Sequence, residues 1–334
     1  MEPILLLPLF VSFYVTLILL PGWVKRAKRF GLFGKDMNKY DKPKVAEAGG
    51  VMVVAGFILG ILFYIALKTF YFQTNETIVN IFALTTSILI LAGIGIIDGL
   101  LGWRIGLRKR FRILFVLIAA IPLMVINAGH STVFLPFIGK VNFGLIYPLI
   151  LIPVGIIGAT TTFNFVAGFN GLEARQGIII LTALSIVSYF TGNSWLALVG
   201  MCMVFSLLAF WIFNKYPSKV FPGDVMTYPL GGLIAIMAIL GNMERIAVFF
   251  FIPYIIETFL KLRGKLIKQS FGKPIKEGFL ELKYKKIYSL NHLSIFLLGK
   301  IKNKVKETDV IFSINLFQII IIIIGFIIFR GNIF

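Results

Sequence analysis

The sequence predicts an all-α integral membrane protein that crosses the bilayer about ten times. Of its 334 residues, 58% are apolar and 14% charged, and the mean hydropathy is +0.94. The apolar residues gather in runs near the ~20 residues that a bilayer core requires. Together these exclude a pair of ordinary soluble domains, which this length would otherwise suggest.

The expected spans are Pro3–Val24, Gly49–Tyr71, Thr77–Leu101, Phe111–Ala128, Phe143–Phe163, Gly177–Phe190, Trp195–Phe213, Met226–Leu240, Arg245–Leu260 and Ile311–Phe329. The first is read as retained, because MEPILLL carries neither a basic leader nor a small-residue cleavage site ahead of its apolar run. Loops one, three, five, seven and nine then share one side of the membrane. They hold all but four of the 33 lysines and arginines, the exceptions being Lys68, Lys140, Arg245 and Arg330. By the positive-inside rule those loops are expected to be cytoplasmic and both termini external. The net charge of +19 therefore belongs to one membrane face, and a nucleic-acid-binding reading is excluded.

One long loop is expected, spanning 261–310 within a single integral membrane domain, 1–334. It is basic throughout. Its apolar segment Tyr288–Leu298 fits a helix lying at the membrane surface, drawn to anionic lipid or covering a site. The single cysteine, Cys202, excludes a disulfide framework, and His130 and His292 are too few for a histidine metal cluster.

Acids near a membrane core are costly and tend to mark function. Of the fourteen, all but Glu2, Glu76 and Glu244 fall at the expected cytoplasmic ends, and four clusters there mix acids, amides and glycines. DMNKYDKPKVAEAGG precedes span two and carries Asp36, Asn38 and Glu47. Asp98 ends span three ahead of Arg104, Arg108, Lys109 and Arg110, a carboxylate and cations suited to work beside phosphates, although an interfacial end residue would look the same. TTTFNFVAGFNGLEARQG follows span five, with Asn164 and Asn170 offering amides around Gly168, where backbone can approach a ligand. Gly223-Asp224 opens span eight and is also an ordinary helix start. All four clusters fall on the face chosen by the lysine and arginine count. That conjunction points to a phosphorylated, anionic substrate handled at the membrane surface with a divalent metal. Mg²⁺ is satisfied by one or two carboxylates plus water and substrate phosphate.

The stretches DMNK with Glu47, the acid-then-basic run from Asp98, NFVAGFNGLE, NKYPSKVFPGD and SLNHLSIFLLGKI resemble the polyprenyl-phosphate N-acetylhexosamine-1-phosphate transferases over nearly the whole chain. Ala167 and Asn170 stand where the muramoyl-pentapeptide branch has acids, so the similarity is to the eukaryotic-type branch acting on dolichyl phosphate. The resemblance implies transfer of N-acetylglucosamine-1-phosphate, or a related N-acetylhexosamine-1-phosphate, from a UDP-sugar to a polyprenyl or dolichyl phosphate, releasing UMP, as the first step of lipid-linked glycan assembly; the same reaction with a different sugar is an alternative. It implies Mg²⁺, or Mn²⁺ in its place, and a homodimer as a common state.

By matched position, Asn164 and Asp224 would hold the metal, Phe221 would stack on uracil, and the backbone at Gly168 would meet the uracil edge. Met37 and Glu47 would lie near the nucleoside, Asn170 would be a polar site residue, and Arg108, or its neighbour Lys109, would hold phosphate. Asp98 would orient or deprotonate the lipid phosphate. Gly99 replaces a second family acid, and loop nine lacks a histidine-containing basic motif, leaving Arg263, Lys265, Lys268 and Gln269 in its stretch. A transporter of an anionic metabolite is the rival reading. It would place polar groups near the bilayer midplane, and here that region is nearly free of charge.

Overall fold

In lipid a backbone must satisfy its own N–H and C=O groups, so the apolar runs fold as helices. The computed structural model describes residues 2–105, 109–135 and 139–333. It opens with α1 (Leu7–Arg29), the hairpin β1 (Phe33–Lys35) and β2 (Lys44–Ala46), α2 (Gly50–Ala66) and α3 (Ile78–Ile105). Next come α4 (Lys109–Val125), the hairpin β3 (Thr132–Leu135) and β4 (Gly139–Asn142), and α5 (Ile152–Phe163). Then follow α6 (Leu172–Phe190), α7 (Ser194–Asn214), α8 (Asp224–Leu240), α9 (Glu244–Phe250) and α10 (Ile252–Arg263). The hairpin β5 (Lys273–Pro274) and β6 (Leu280–Glu281), α11 (Leu290–Ile301), α12 (Glu307–Ile328) and a final turn of helix complete the order.

Among the described residues, six segments are long and apolar enough to cross a membrane: Pro3–Arg29, Gly50–Tyr71, Ile78–Gly99, Leu172–Phe190, Ser194–Asn214 and Glu307–Ile328. The chain is a polytopic membrane protein. The expected fourth, fifth and eighth spans are shorter apolar helices, Phe111–Val125, Tyr147–Phe163 and Asp224–Leu240. The expected ninth span breaks at Phe251 into α9 and α10. Pro253 explains the break, since proline lacks an N–H for the helical ladder and opens a new helix readily at its first turn.

The core lies around α8, whose residues from Val225 to Leu240 are all buried. A helix apolar on every side belongs at such a centre, and α3 and α5 pack along it. On another side α1, α2 and α7 approach closely through small residues. A Cβ on Gly56 would stand 2.0 Å from Thr16 Oγ1, and Thr16 Oγ1 donates to Ser206 Oγ at 3.2 Å. Close backbones and hydroxyl bonds of this kind hold helices together where lipid offers no hydrophobic drive.

Loop nine is ordered by its hairpin and by α11, whose first turn is capped by Ser289 Oγ accepting from the His292 N–H at 3.3 Å. The helix buries Leu290, Asn291, His292, Ser294 and Ile295 and exposes Phe296, Leu297 and Ile301. It is thus docked along one face, against α10 and α12, with only the other face open.

Candidate active site

The loops after α1, α5, α7 and α10 converge at one end of the bundle. Loop seven is stitched to loop one by backbone: Phe221 N–H donates to Ala46 O at 2.7 Å, Gly49 N–H to Phe221 O at 2.9 Å and Gly50 N–H to Pro222 O at 3.0 Å. These bonds set Phe221 beside Glu47 and bring Asp224 to the start of α8.

Asp98 reaches the same point from α3. Gly95, one turn earlier, lies directly on the Asp224–Val225 peptide, where a Cβ would be 2.5 Å from its atoms. The missing side chain lets α3 press against the start of α8, which sets the Asp98 carboxyl close to that of Asp224. Arg112 Nη2 is 2.6 Å from Asp98 Oδ2, and Tyr228 OH donates to that oxygen at 3.3 Å. Asn164 Nδ2 donates to Asp224 Oδ1 at 3.0 Å, and Thr227 Oγ1 donates to Asn164 Oδ1 at 3.2 Å. Two carboxyl groups this close repel when both are ionised, so the site is built for a positive charge or a shared proton.

A cleft of about 570 Å³ opens beside Asp224, and Met37, Glu47, Asn164, Gly168, Asn170, Phe221 and Asp224 all line it, while Asp98 is buried behind Asp224 and outside the lining. The residues expected at the nucleoside and metal are therefore gathered in one cavity. Gly34 makes room there, since a Cβ would stand 2.3 Å from Glu47 Oε1 and 3.3 Å from the Phe221 ring. Burial pushes the Glu47 carboxyl up from its ordinary range.

The walls of the cleft are tied together by a polar network. Asn170 Nδ2 donates to Asp36 Oδ2 at 3.0 Å, and Asn170 N–H donates to Glu307 Oε1 at 2.8 Å. Lys39 forms an ion pair with the other Glu307 oxygen. Asn38 Nδ2 donates to Gly168 O at 2.6 Å while its oxygen accepts from Gly272 N–H at 3.1 Å, so one amide joins loops one, five and nine.

Three loop-nine cations stand elsewhere. Arg263, Lys265 and Lys268 are exposed and lie outside the cleft lining, which loop nine enters through Gln269 and Phe271. Arg108 lies outside the described residues. Arg112 is the cation that meets Asp98, a residue the sequence reading counted only as charge. Tyr228 also went unnoticed, although it stands one helical turn from Asp224 and so on the same face. Glu307 carried no local signal, since its partners come from two other loops.

For Mg²⁺, the donors fit. Asp224 supplies a hard anionic oxygen with Asp98 against it, and Asn164 supplies an amide whose oxygen, now on Thr227, would turn toward the ion. Among the described residues no group of three or more His, Cys, Asp or Glu could hold a metal ion by itself. So sparse a set suits an ion that keeps water and substrate phosphate in its shell.

A second cavity, an apolar groove of about 530 Å³, runs along α5 between α8, α9 and α10. Its lining extends from Tyr147 and Glu244 at one end to Thr162 at the other. Asn164, which lines the cleft, follows Thr162 by two residues at the end of α5, so the groove ends beside the cleft.

Comparison with known proteins agrees with this architecture. The sequence profile of glycosyl transferase family 4 matches residues 81–242, which run from α3 through α8. A protein of Saccharolobus solfataricus, provisionally named UDP-N-acetylglucosamine–dolichyl-phosphate N-acetylglucosaminephosphotransferase, is 36% identical over 300 residues, covering 89% of each chain. A Dictyostelium discoideum enzyme of the same name is 27% identical over 72% of this chain and 67% of its own. The phospho-N-acetylmuramoyl-pentapeptide-transferase of Halalkalibacterium halodurans is 29% identical over 82% of this chain and 86% of its own. With its acid pair, its cleft and a relative this similar over nearly its full length, the chain belongs to glycosyl transferase family 4.

Proposed function

We propose that the chain transfers N-acetylglucosamine-1-phosphate from UDP-N-acetylglucosamine to a polyprenyl or dolichyl phosphate, giving a lipid diphosphosugar and UMP. One observation carries this reading: a polar, aromatic-walled cleft lined by Asn164, Phe221 and Asp224 lies beside the end of an apolar groove, whose lining reaches Thr162, two residues before Asn164. The cleft suits a nucleotide sugar and the groove suits an isoprenoid tail, and the names of the archaeal and Dictyostelium relatives join the same two substrates.

In the reaction a lipid-phosphate oxygen bonds to the β-phosphorus of the donor as the bond from that phosphorus to the bridging oxygen breaks. The electron pair leaves with UMP. Phe221 offers its ring to uracil, and Gly168 and Asn170 present backbone and amide to the nucleoside. Asp98, oriented by Arg112 and Tyr228, receives the acceptor phosphate and takes its proton where one is present. Bound Mg²⁺, held by Asp224 and Asn164, would neutralise the diphosphate, as phosphoryl transfer generally requires. The phosphate is already a nucleophilic oxyanion, so direct attack suffices and an aspartyl intermediate is unnecessary.

The cleft faces the cytoplasm on this reading, because the lysine- and arginine-rich loops form it. The experiment is to supply purified protein with a panel of UDP-sugars, Mg²⁺ and a polyprenyl phosphate. Nucleotide should be released from UDP-N-acetylglucosamine only when the lipid phosphate is present. Release that ignores the lipid would contradict the proposal.

A further inference from the structure

Arg263, Lys265 and Lys268 stand outside the cleft, at the end of α10 and on the strained turn that follows it. Lys265 and Leu266 both hold left-handed backbone, with φ of 54° and 57°. Residues with a Cβ rarely adopt that region, so two in succession cost free energy and persist only where neighbouring bonds hold them. Those bonds are present: Leu266 N–H donates to Lys261 O at 2.9 Å, Lys265 N–H to Leu262 O at 2.8 Å, and Lys261 Nζ to Lys268 O at 3.4 Å.

The turn directs apolar side chains outward. Ile267 is 74% exposed, Leu262 53% and Leu266 36%. They continue a strip along α10, where Ile255 and Phe259 line the apolar groove and Phe259 is 68% exposed. The strip reaches the membrane surface at the turn, because Ser270 Oγ donates at 3.2 Å to Phe165 O, just past the end of α5. Arg263 lies one helical turn beyond Phe259 and so on the same face. Arg263 and Lys265 are exposed and make no ion pair among the described residues. Lys268 is exposed too, with its Nζ 5.0 Å from the Tyr284 ring. Apolar side chains at the edge of the bilayer, crowned by unpaired cations, are complementary to a leaflet with negative headgroups.

We propose that this turn docks on the anionic lipid headgroups of the surrounding bilayer. Leu262, Leu266 and Ile267 enter the acyl boundary, and Arg263 and Lys265 hold headgroup phosphates above them, their stems lying along the apolar strip. Lys261 also donates to Ser270 Oγ, so the docked turn anchors the segment that sends Gln269 and Phe271 to the cleft. The surface does not depend on which reaction the cleft performs.

The test places a bimane probe at Ile267→Cys in the full-length protein, whose own Cys202 is buried, within phosphatidylcholine bilayers. Quenching by brominated phosphatidylglycerol is compared with quenching by brominated phosphatidylcholine. The anionic lipid should quench at an about fivefold lower fraction, the size of one lysine or arginine near an anionic surface. Arg263→Gln with Lys265→Gln should bring the two lipids within about twofold of each other. A probe at Ile18→Cys, exposed on α1 and far from cations, should show the same near-equality. Equal quenching at position 267, a preference that survives the double substitution, the same preference at position 18, or displacement of the brominated lipid by a small share of polyprenyl phosphate would each overturn the proposal. Absence of quenching by either lipid would also overturn it, leaving the turn to water or to a second copy of the chain. If Ile267→Cys does not fold, the exposed Leu262→Cys decides by the same comparison.

Discussion

Arg112 Nη2 lies 2.6 Å from Asp98 Oδ2, where α3 presses against the first turn of α8. The guanidinium is the fixed positive charge bonded to this acid, so it orients the Asp98 carboxyl group even before metal or substrate binds.

Asp98→Asn should lower turnover by about 10²-fold or more, the range of a lost general base, while nucleotide-sugar binding persists. Arg112→Ala should cost at least as much, because it leaves the acid pair facing only neutral groups, and Arg112→Lys should recover part of it. Steady-state kinetics with equilibrium UMP binding separates the two effects. Normal turnover in a folded Asp98→Asn protein would reduce Asp98 to a helix-end residue.

Metal should be required. EDTA should abolish activity and added Mg²⁺ or Mn²⁺ should return it. Asp224→Asn should raise the metal concentration for half activity far more than Asn164→Ala, since it removes a full charge from the donor set. Metal titrations of the two variants make the comparison, and an unchanged requirement in Asp224→Asn would remove it from the metal site.

Phe221→Ala should weaken UMP binding by roughly 1–3 kcal/mol, the range for stacking a base on an aromatic ring. Calorimetry reads this directly. Unchanged affinity would move uracil to another ring of the cleft, such as Phe271.

The shared face is testable by labelling. Exposed Lys42→Cys and Lys219→Cys should react with a membrane-impermeant thiol reagent only from the cytoplasmic side, and Lys140→Cys only from outside. Reaction of the first two from opposite sides would break the single cleft apart.

Much of this site was legible before any fold was known, and the reasons are physical. Asp98, Asn164, Asn170, Phe221 and Asp224 sit in short polar stretches against apolar runs, where their cost makes them conspicuous. Arg112 and Glu307 sit among many other charged residues, and only the fold shows which carboxylate or amide each one meets. Loop nine makes the point plainly: Arg263, Lys265 and Lys268 lie in the expected stretch, yet their side chains are exposed, and the neutral Gln269 lines the cleft instead. The break in the ninth span was signalled by Pro253, but a proline near a helix start and one that divides a span read alike in a sequence.

The most direct measurement follows the β-phosphorus. UDP-N-acetylglucosamine labelled at that atom is incubated with the protein, Mg²⁺ and a polyprenyl phosphate, and the lipid and aqueous products are separated. Phosphosugar transfer at the Asp98–Asp224 junction predicts the label in the lipid fraction, with unlabelled UMP in the water. Ordinary glycosyl transfer would leave the label in water-soluble UDP, and that result would contradict the account.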